Sequence, residues 1–197
     1  NRRSIDRRVK GMGLMKAIYC IGLNAWPRLE MREITTPEPG PGEVRICNEA
    51  WGVNFVDYLM CQGGYQLRPE PPFIPGMESA GRVTALGDGI KGIKIGDAFM
   101  AGHRPGAFAE ETCVPVGRLI PIADGMNMAE AAGFRSAFIT AYHGLLQGGR
   151  LQMGETALIH GAAGGMGHAA VQVAKRLGAT VVATASGEEK LRAIRSL

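Results

Sequence analysis

The chain is poor in the features that would organise a disulfide-rich, metal-ribbon or membrane protein. Only 4 of its 197 residues are cysteine. Cys20, Cys47, Cys61 and Cys113 stand far apart with no C-x-x-C pair, so neither a zinc knuckle nor a disulfide framework is indicated. Four reduced thiols in a cytoplasmic protein are the expectation. No uninterrupted apolar run approaches the roughly 20 residues that a membrane-spanning helix needs, because Gly, Pro or a charge breaks each one. No membrane partner is therefore expected. An excess of positive charge is also missing from most of the chain. The formal net charge is +4, but Arg2, Arg3, Arg7, Arg8 and Lys10 against Asp6 account for all of it. The remainder is formally neutral and offers no basic stripe, so nucleic acid is not an expected partner. Residues 1–14 read as a flexible basic tail. That segment lacks the long apolar core of a secretory signal; its arginines would suit a mitochondrial presequence, but Asp6 and its brevity argue against one.

What is present is a hydrophobic content of 46%, enough for one or two globular cores. Up to about Val116 the sequence alternates short β-type runs with Gly- and Pro-rich turns. The runs are 16-KAIYCIG, 43-EVRICNEAWGVN, 79-SAGRVTALG and 108-FAEETCVPV, and their spacing predicts a small barrel or sandwich. A short helix is expected in 54-NFVDYLMCQGGY, opening at Asn54 and stopping at Gly63-Gly64. From Asn127 the period changes. An Ala-rich helix over 127–148 precedes a strand at 156–160, a helix at 166–177, a strand at 179–185 and a helix at 187–196. Met166, Ala170, Val173, Ala174 and Leu177 share one face of the helix at 166–177 at helical spacing. A domain boundary is placed near 120–127, giving domains over 15–126 and 127–197. Only two strands of the second sheet precede Leu197, so the chain reads as truncated at its C-terminal end.

The glycine-rich turn 161-GAAGGMG-167 lies between a predicted strand and a predicted helix. Aligned on G-x-G-x-x-G, the three glycine positions fall on Ala162, Gly164 and Gly167. Gly164 answers the need for backbone to approach a pyrophosphate, and Gly167 the need for close packing of helix on strand. Ala162 departs from the pattern. The turn is thus either a phosphate cradle or a tight structural connection, and strand-before, helix-after favours the cradle. The second strand ends Ala183-Thr184-Ala185-Ser186 with no carboxylate for a ribose 2′-hydroxyl. Ser186 as a hydroxyl donor and Lys190 as a cation suit a 2′-phosphate, which favours NADPH over NADH; a solvated surface lysine is the alternative for Lys190.

Taken together, 52-GVNFVDY, 63-GGY, 71-PPFIPGMESAGRV, 95-IGDAF, 106-GAFAE, 139-ITAYHGL and 158-LIHGAAGGMGHAAVQVAK resemble the medium-chain dehydrogenase/reductase superfamily, in its zinc-independent quinone oxidoreductase branch that includes zeta-crystallin. The resemblance runs from about Met15 to Leu197. It implies an α/β plus β fold, a GroES-like β-barrel domain followed by the first part of a Rossmann domain. Zinc-using relatives carry a cysteine where this chain has 53-VN and a histidine where it has Met77. A thioether is a poor substitute for imidazole on Zn²⁺, so no metal is expected.

The resemblance further implies hydride transfer from NADPH to a quinone or an α,β-unsaturated carbonyl. Asn54 and Tyr65 would act at the reacting groups, with Asn54 and Thr140 along the nicotinamide. Gly164, Gly165, Met166 and Gly167 would hold the pyrophosphate, and Ser186 and Lys190 the 2′-phosphate. The full-length protein would be a homodimer. Each side chain also has a plainer reading: Asn54 as a helix cap, Tyr65 as a surface aromatic, Thr140 as a packed β-branched residue. Asp57 reads first as a turn or cap residue, and Glu78 as the partner of a nearby donor. His103, His143, His160 and His168 show no ligand spacing. Three other readings stay open: an enoyl-thioester reductase, a non-catalytic crystallin-like or RNA-binding protein on the same scaffold, and an inactive fragment.

Overall fold

The computed structural model describes residues 13–23 and 27–197, so nearly all of the basic segment 1–14 lies outside the described residues. These divide into two compact units, one ending at Gly133 and one spanning Phe134–Leu197.

The first unit is built from antiparallel strands. A hairpin pairs β1 (Leu14–Gly22) with β2 (Arg28–Thr35). A five-stranded sheet follows, made of β3 (Glu43–Gly52), β4 (Glu78–Leu86), β5 (Ala98–Gly102), β6 (Glu111–Pro115) and β7 (Leu119–Pro121) in the order β6-β3-β4-β5-β7. Period-two alternation sends Val44 and Ile46 of β3 to the core, where they meet Val83, Ala101 and Val114. Burying aliphatic side chains of this size contributes about 1.5–3 kcal/mol each. The hairpin is stitched to later segments by backbone bonds, Ile18 N–H to the Phe108 carbonyl and Cys20 N–H to the Phe73 carbonyl, both at 2.8 Å. The short helix α1 (Phe55–Cys61) leaves β3 and packs Met60 and Cys61 on Cys20 and Phe73.

Helix α2 (Met128–Tyr142) carries the chain out of the first unit and ends in a π-helical turn, His143–Gly148. In the second unit β8 (Thr156–Ile159) and β9 (Thr180–Ala183) pair in parallel, Thr156 against Thr180 through Ile159 against Ala183. Helix α3 (Gly165–Arg176) makes the crossover between them, and α4 (Glu188–Arg195) follows β9. The core of this unit is Ala157, Ile159, Ala162, Val171, Ala174 and Ile194.

One helical face differs from the sequence reading. The buried residues of α3 are Gly167, Ala169, Val171 and Ala174, whereas Met166 is 44% exposed. Gly167 has to lie against the turn, and positions four and seven residues on, Val171 and Ala174, necessarily share its face. The stripe beginning at Met166 is rotated away from the core by about one residue's turn.

Candidate functional site

The glycine turn makes different demands at each position. Gly161 has φ +62°, a left-handed conformation that glycine adopts without strain. A Cβ at Gly167 would collide with the Gly161 carbonyl oxygen and stand 2.6 Å from Ala162 Cα. This glycine is needed by the fold itself. At Gly165 the case is reversed: its φ is ordinary, and a Cβ there would meet nothing within 4 Å. At Gly164 the nearest atom would be the Gly161 carbonyl oxygen, at 3.4 Å. Local packing therefore does not require glycine at 165. What its absent side chain leaves open is the approach to the first turn of α3, where backbone N–H groups lack intrahelical acceptors and the helix dipole favours an anion. The residues fit a pyrophosphate. Ala162, the departure from the glycine pattern, is fully buried, and its N–H donates to the Thr184 carbonyl at 2.9 Å.

At the carboxyl end of β9, Lys190 Nζ donates to Ser186 Oγ at 3.2 Å. The exposed pair straddles Gly187, with Ser186 before it and Lys190 in the first turn of α4. An ammonium and a hydroxyl thus converge at one strand end, with Glu188 and Glu189 following in the first turn of α4. At the same strand ends, His160 Nδ1 lies 3.0 Å from Thr184 Oγ1, a polar contact that the sequence did not signal.

In the first unit the Asn54 region is tightly organised. Asn54 caps α1, and Asp57 Oδ2 accepts its backbone N–H at 2.8 Å, half of a capping box. The Asn54 side chain also donates from Nδ2 to Glu78 Oε1 at 2.7 Å. Glu78 thus has the donor partner expected of it, and its side chain is only 1% exposed. Asp57, 4% exposed, has its carboxyl pushed above the ordinary aspartate value, first by burial and then by the negative charge of Glu78; backbone N–H groups of Asn54, Gly76 and Met77 oppose this. Tyr65 is half-buried, with Met77, against the cluster of Cys20, Met60, Cys61 and Phe73, which is not the position of a free surface aromatic.

Thr140, on α2 and in the second unit, is exposed rather than packed. Its Oγ1 donates back to the Ser136 carbonyl at 2.6 Å. The remaining site candidates, Gly164 to Gly167, Ser186 and Lys190, also belong to the second unit, whereas Asn54 and Tyr65 belong to the first.

Among the described residues no three His, Cys, Asp or Glu side chains are grouped to hold a metal ion. Met77 occupies the position beside Glu78, and His103 Nε2 lies 3.0 Å from Ser79 Oγ. No described helix is long and apolar enough to cross a membrane.

Residues 40–124 match the family described as the alcohol dehydrogenase GroES-like domain. With that match, the two-unit architecture and the relatives below, the chain belongs to the medium-chain dehydrogenase/reductase superfamily: a GroES-like domain followed by the first part of a Rossmann domain. It is 39% identical over 173 residues to the mouse (Mus musculus) synaptic vesicle membrane protein VAT-1 homolog-like, a match covering 87% of this chain and 42% of that protein. It is 32% identical to the quinone oxidoreductase-like protein 2 homolog of Nematostella vectensis, over 100% of this chain and 54% of that one. The quinone oxidoreductase of Thermus thermophilus, whose structures include a complex with NADPH, superposes with a TM-score of 0.82 at 40% identity, covering 92% of this chain and 57% of that one. The chain spans about half the length of the curated relatives it matches.

Proposed function

We propose that this chain carries the catalytic domain (residues 15–126) and part of the cofactor domain (residues 127–197) of an NADPH-dependent, zinc-independent reductase of quinones or α,β-unsaturated carbonyls. The observation that carries the reading is the glycine turn: Gly165 is a glycine that its own fold does not require, placed at a helix start after a parallel strand. The Ser186–Lys190 pair one strand away supplies the donors for a 2′-phosphate and selects NADPH over NADH. Relatives named as quinone oxidoreductases support the substrate class.

Bound NADPH supplies the hydride, and the polypeptide's part is orientation and charge stabilisation. Backbone N–H groups of Gly165, Met166 and Gly167 would hold the pyrophosphate, while Gly164, whose own N–H is donated to the Gly161 carbonyl at 2.9 Å, would serve by its lack of a side chain. Asn54 and Tyr65 would face the reacting groups, with an Asn54 amide N–H stabilising the negative charge that grows on the acceptor oxygen. Thr140, whose hydroxyl lies on the exposed side of α2, would contact the nicotinamide end. Met77, where the zinc-using relatives would carry an imidazole, supports a reaction without zinc.

The experiment is a two-part titration. NADPH fluorescence should change on binding, and NADPH should be consumed when 1,4-benzoquinone, an enone or an acyl-thioester enoyl compound is added to the intact protein containing this chain. Consumption with the quinone or the enone supports the reading; consumption with the thioester alone would redirect it to enoyl reduction. Failure to bind NADPH would overturn it.

A further inference from the structure

Glu78 sits in a slot that the sheet clears for it. Its cross-strand neighbours are Gly52 on β3 and Gly102 on β5, so no side chain flanks it on either side. A Cβ at Gly52 would stand 2.5 Å from Glu78 Cγ and 2.7 Å from Oε1, and would collide with the Ala132 carbonyl oxygen. On the β3 side the carboxylate thus lies against backbone, at the first residue of β4, with one oxygen on Asn54 Nδ2. Burying a carboxylate costs several kcal/mol before compensation, and an apolar residue of similar volume usually serves stability as well or better. Two glycines and a buried carboxylate are a poor arrangement for packing alone. They make sense if the carboxylate has a directional task.

We propose that Glu78 is a positioning residue that fixes the side-chain amide of Asn54 for the reductase reaction; the inference rests on the reading above, in which Asn54 faces the reacting groups. An ionised carboxylate can only accept hydrogen bonds, so it forces the amide nitrogen of Asn54, rather than the oxygen, to its side. One Nδ2 hydrogen is held by Glu78, and the second lies in the same plane in a direction set by the first. Asp57 fixes the other end of the residue through the Asn54 backbone N–H. Asn54 is therefore held at backbone and side chain by two different carboxylates. The one from Glu78 acts on the side-chain amide itself, holding its nitrogen, while the capping box places the Asn54 side chain towards the Asp57 backbone N–H.

The test pairs a spectroscopic readout with kinetics on the intact protein. In wild type the Asn54 side-chain amide should show one proton shifted downfield and protected from exchange in the nitrogen–proton NMR spectrum. Glu78→Gln, whose own amide can flip, should remove that signature. It should lower kcat with a quinone acceptor by roughly tenfold, below the hundredfold or more typical of deleting a preorganised donor outright. Asn54→Ala should lower kcat at least as far, and the Glu78→Gln/Asn54→Ala double variant no further than Asn54→Ala, because the two act as one unit. Should Glu78→Gln not fold, Glu78→Asp, one methylene too short, is expected to lose the same amide signature. An Asn54 signature unchanged in the folded Glu78 variant, or kcat losses that simply multiply, would overturn the proposal. A wild-type protein that neither binds nor oxidises NADPH would count against the reductase reading, and the NMR comparison would still decide whether Glu78 holds Asn54.

Discussion

Gly167 lies so close to Gly161 that any Cβ at position 167 would run into the Gly161 carbonyl oxygen, whereas Gly165, two residues earlier, faces open space. The same substitution at the two sites should therefore have opposite consequences. Gly167→Ala should destabilise the protein by about 1–3 kcal/mol through overpacking. Gly165→Ala should leave stability unchanged or raise it by up to about 1 kcal/mol, as expected for Gly to Ala in a helix, yet weaken NADPH binding severalfold. Urea midpoints and NADPH titrations of both variants check this. Equal losses of stability would show that both glycines serve only the turn.

Asp57 gives a pH prediction. Its carboxyl is harder to ionise in the folded chain than in the unfolded one, mainly because it is buried and secondarily because Glu78 is near. Its contribution to stability is then fully present below the ordinary aspartate range and is lost as pH rises through the raised folded value. Asp57→Asn keeps an oxygen to accept the Asn54 N–H but cannot ionise. Relative to wild type it should gain stability as pH rises across that window, read as a growing difference in denaturation midpoint. A difference independent of pH would contradict the assignment.

The thiols should separate by accessibility. All four cysteines are free, with Cys20 and Cys61 buried and Cys47 exposed. Burial pushes the Cys61 thiol up to about 12, with Cys20 adding to the effect, and the Cys113 thiol up to about 11. Iodoacetamide at mildly alkaline pH should label Cys47 first in the native protein and reach Cys20 and Cys61 only in denaturant. Native labelling of Cys61 at the rate of Cys47 would show that the packing of α1 against β1 is looser than described.

Some elements are plain in the sequence, and others are hidden for physical reasons. β3 carries apolar residues at alternate positions, β1 and β4 are short β-type runs between turn residues, and β8, α3 and β9 are set off by glycines, so their order can be read directly. β2 (28-RLEMREIT) escapes such a reading because nearly all its side chains are exposed and it shows no one-sided pattern. β5 and β7 escape it because they are five and three residues long. The glycine turn, Ser186 and Lys190 are legible because they are close in sequence. The Glu78–Asn54 hydrogen bond joins residues 24 apart, and the role of Gly52 in clearing space for Glu78 depends on strand register, which no local pattern encodes. Packing is the plainer reading of Thr140, but helix periodicity alone does not say which side of α2 faces solvent.

Whether the end of β9 binds a 2′-phosphate is decided by NADPH and NADH dissociation constants of wild type and Lys190→Ala. Wild type should prefer NADPH, and Lys190→Ala should weaken NADPH about tenfold, the scale of one hydrogen bond to a charged group, with NADH unchanged. Equal wild-type affinity for the two dinucleotides, or an equal loss for both in Lys190→Ala, would contradict a 2′-phosphate site there.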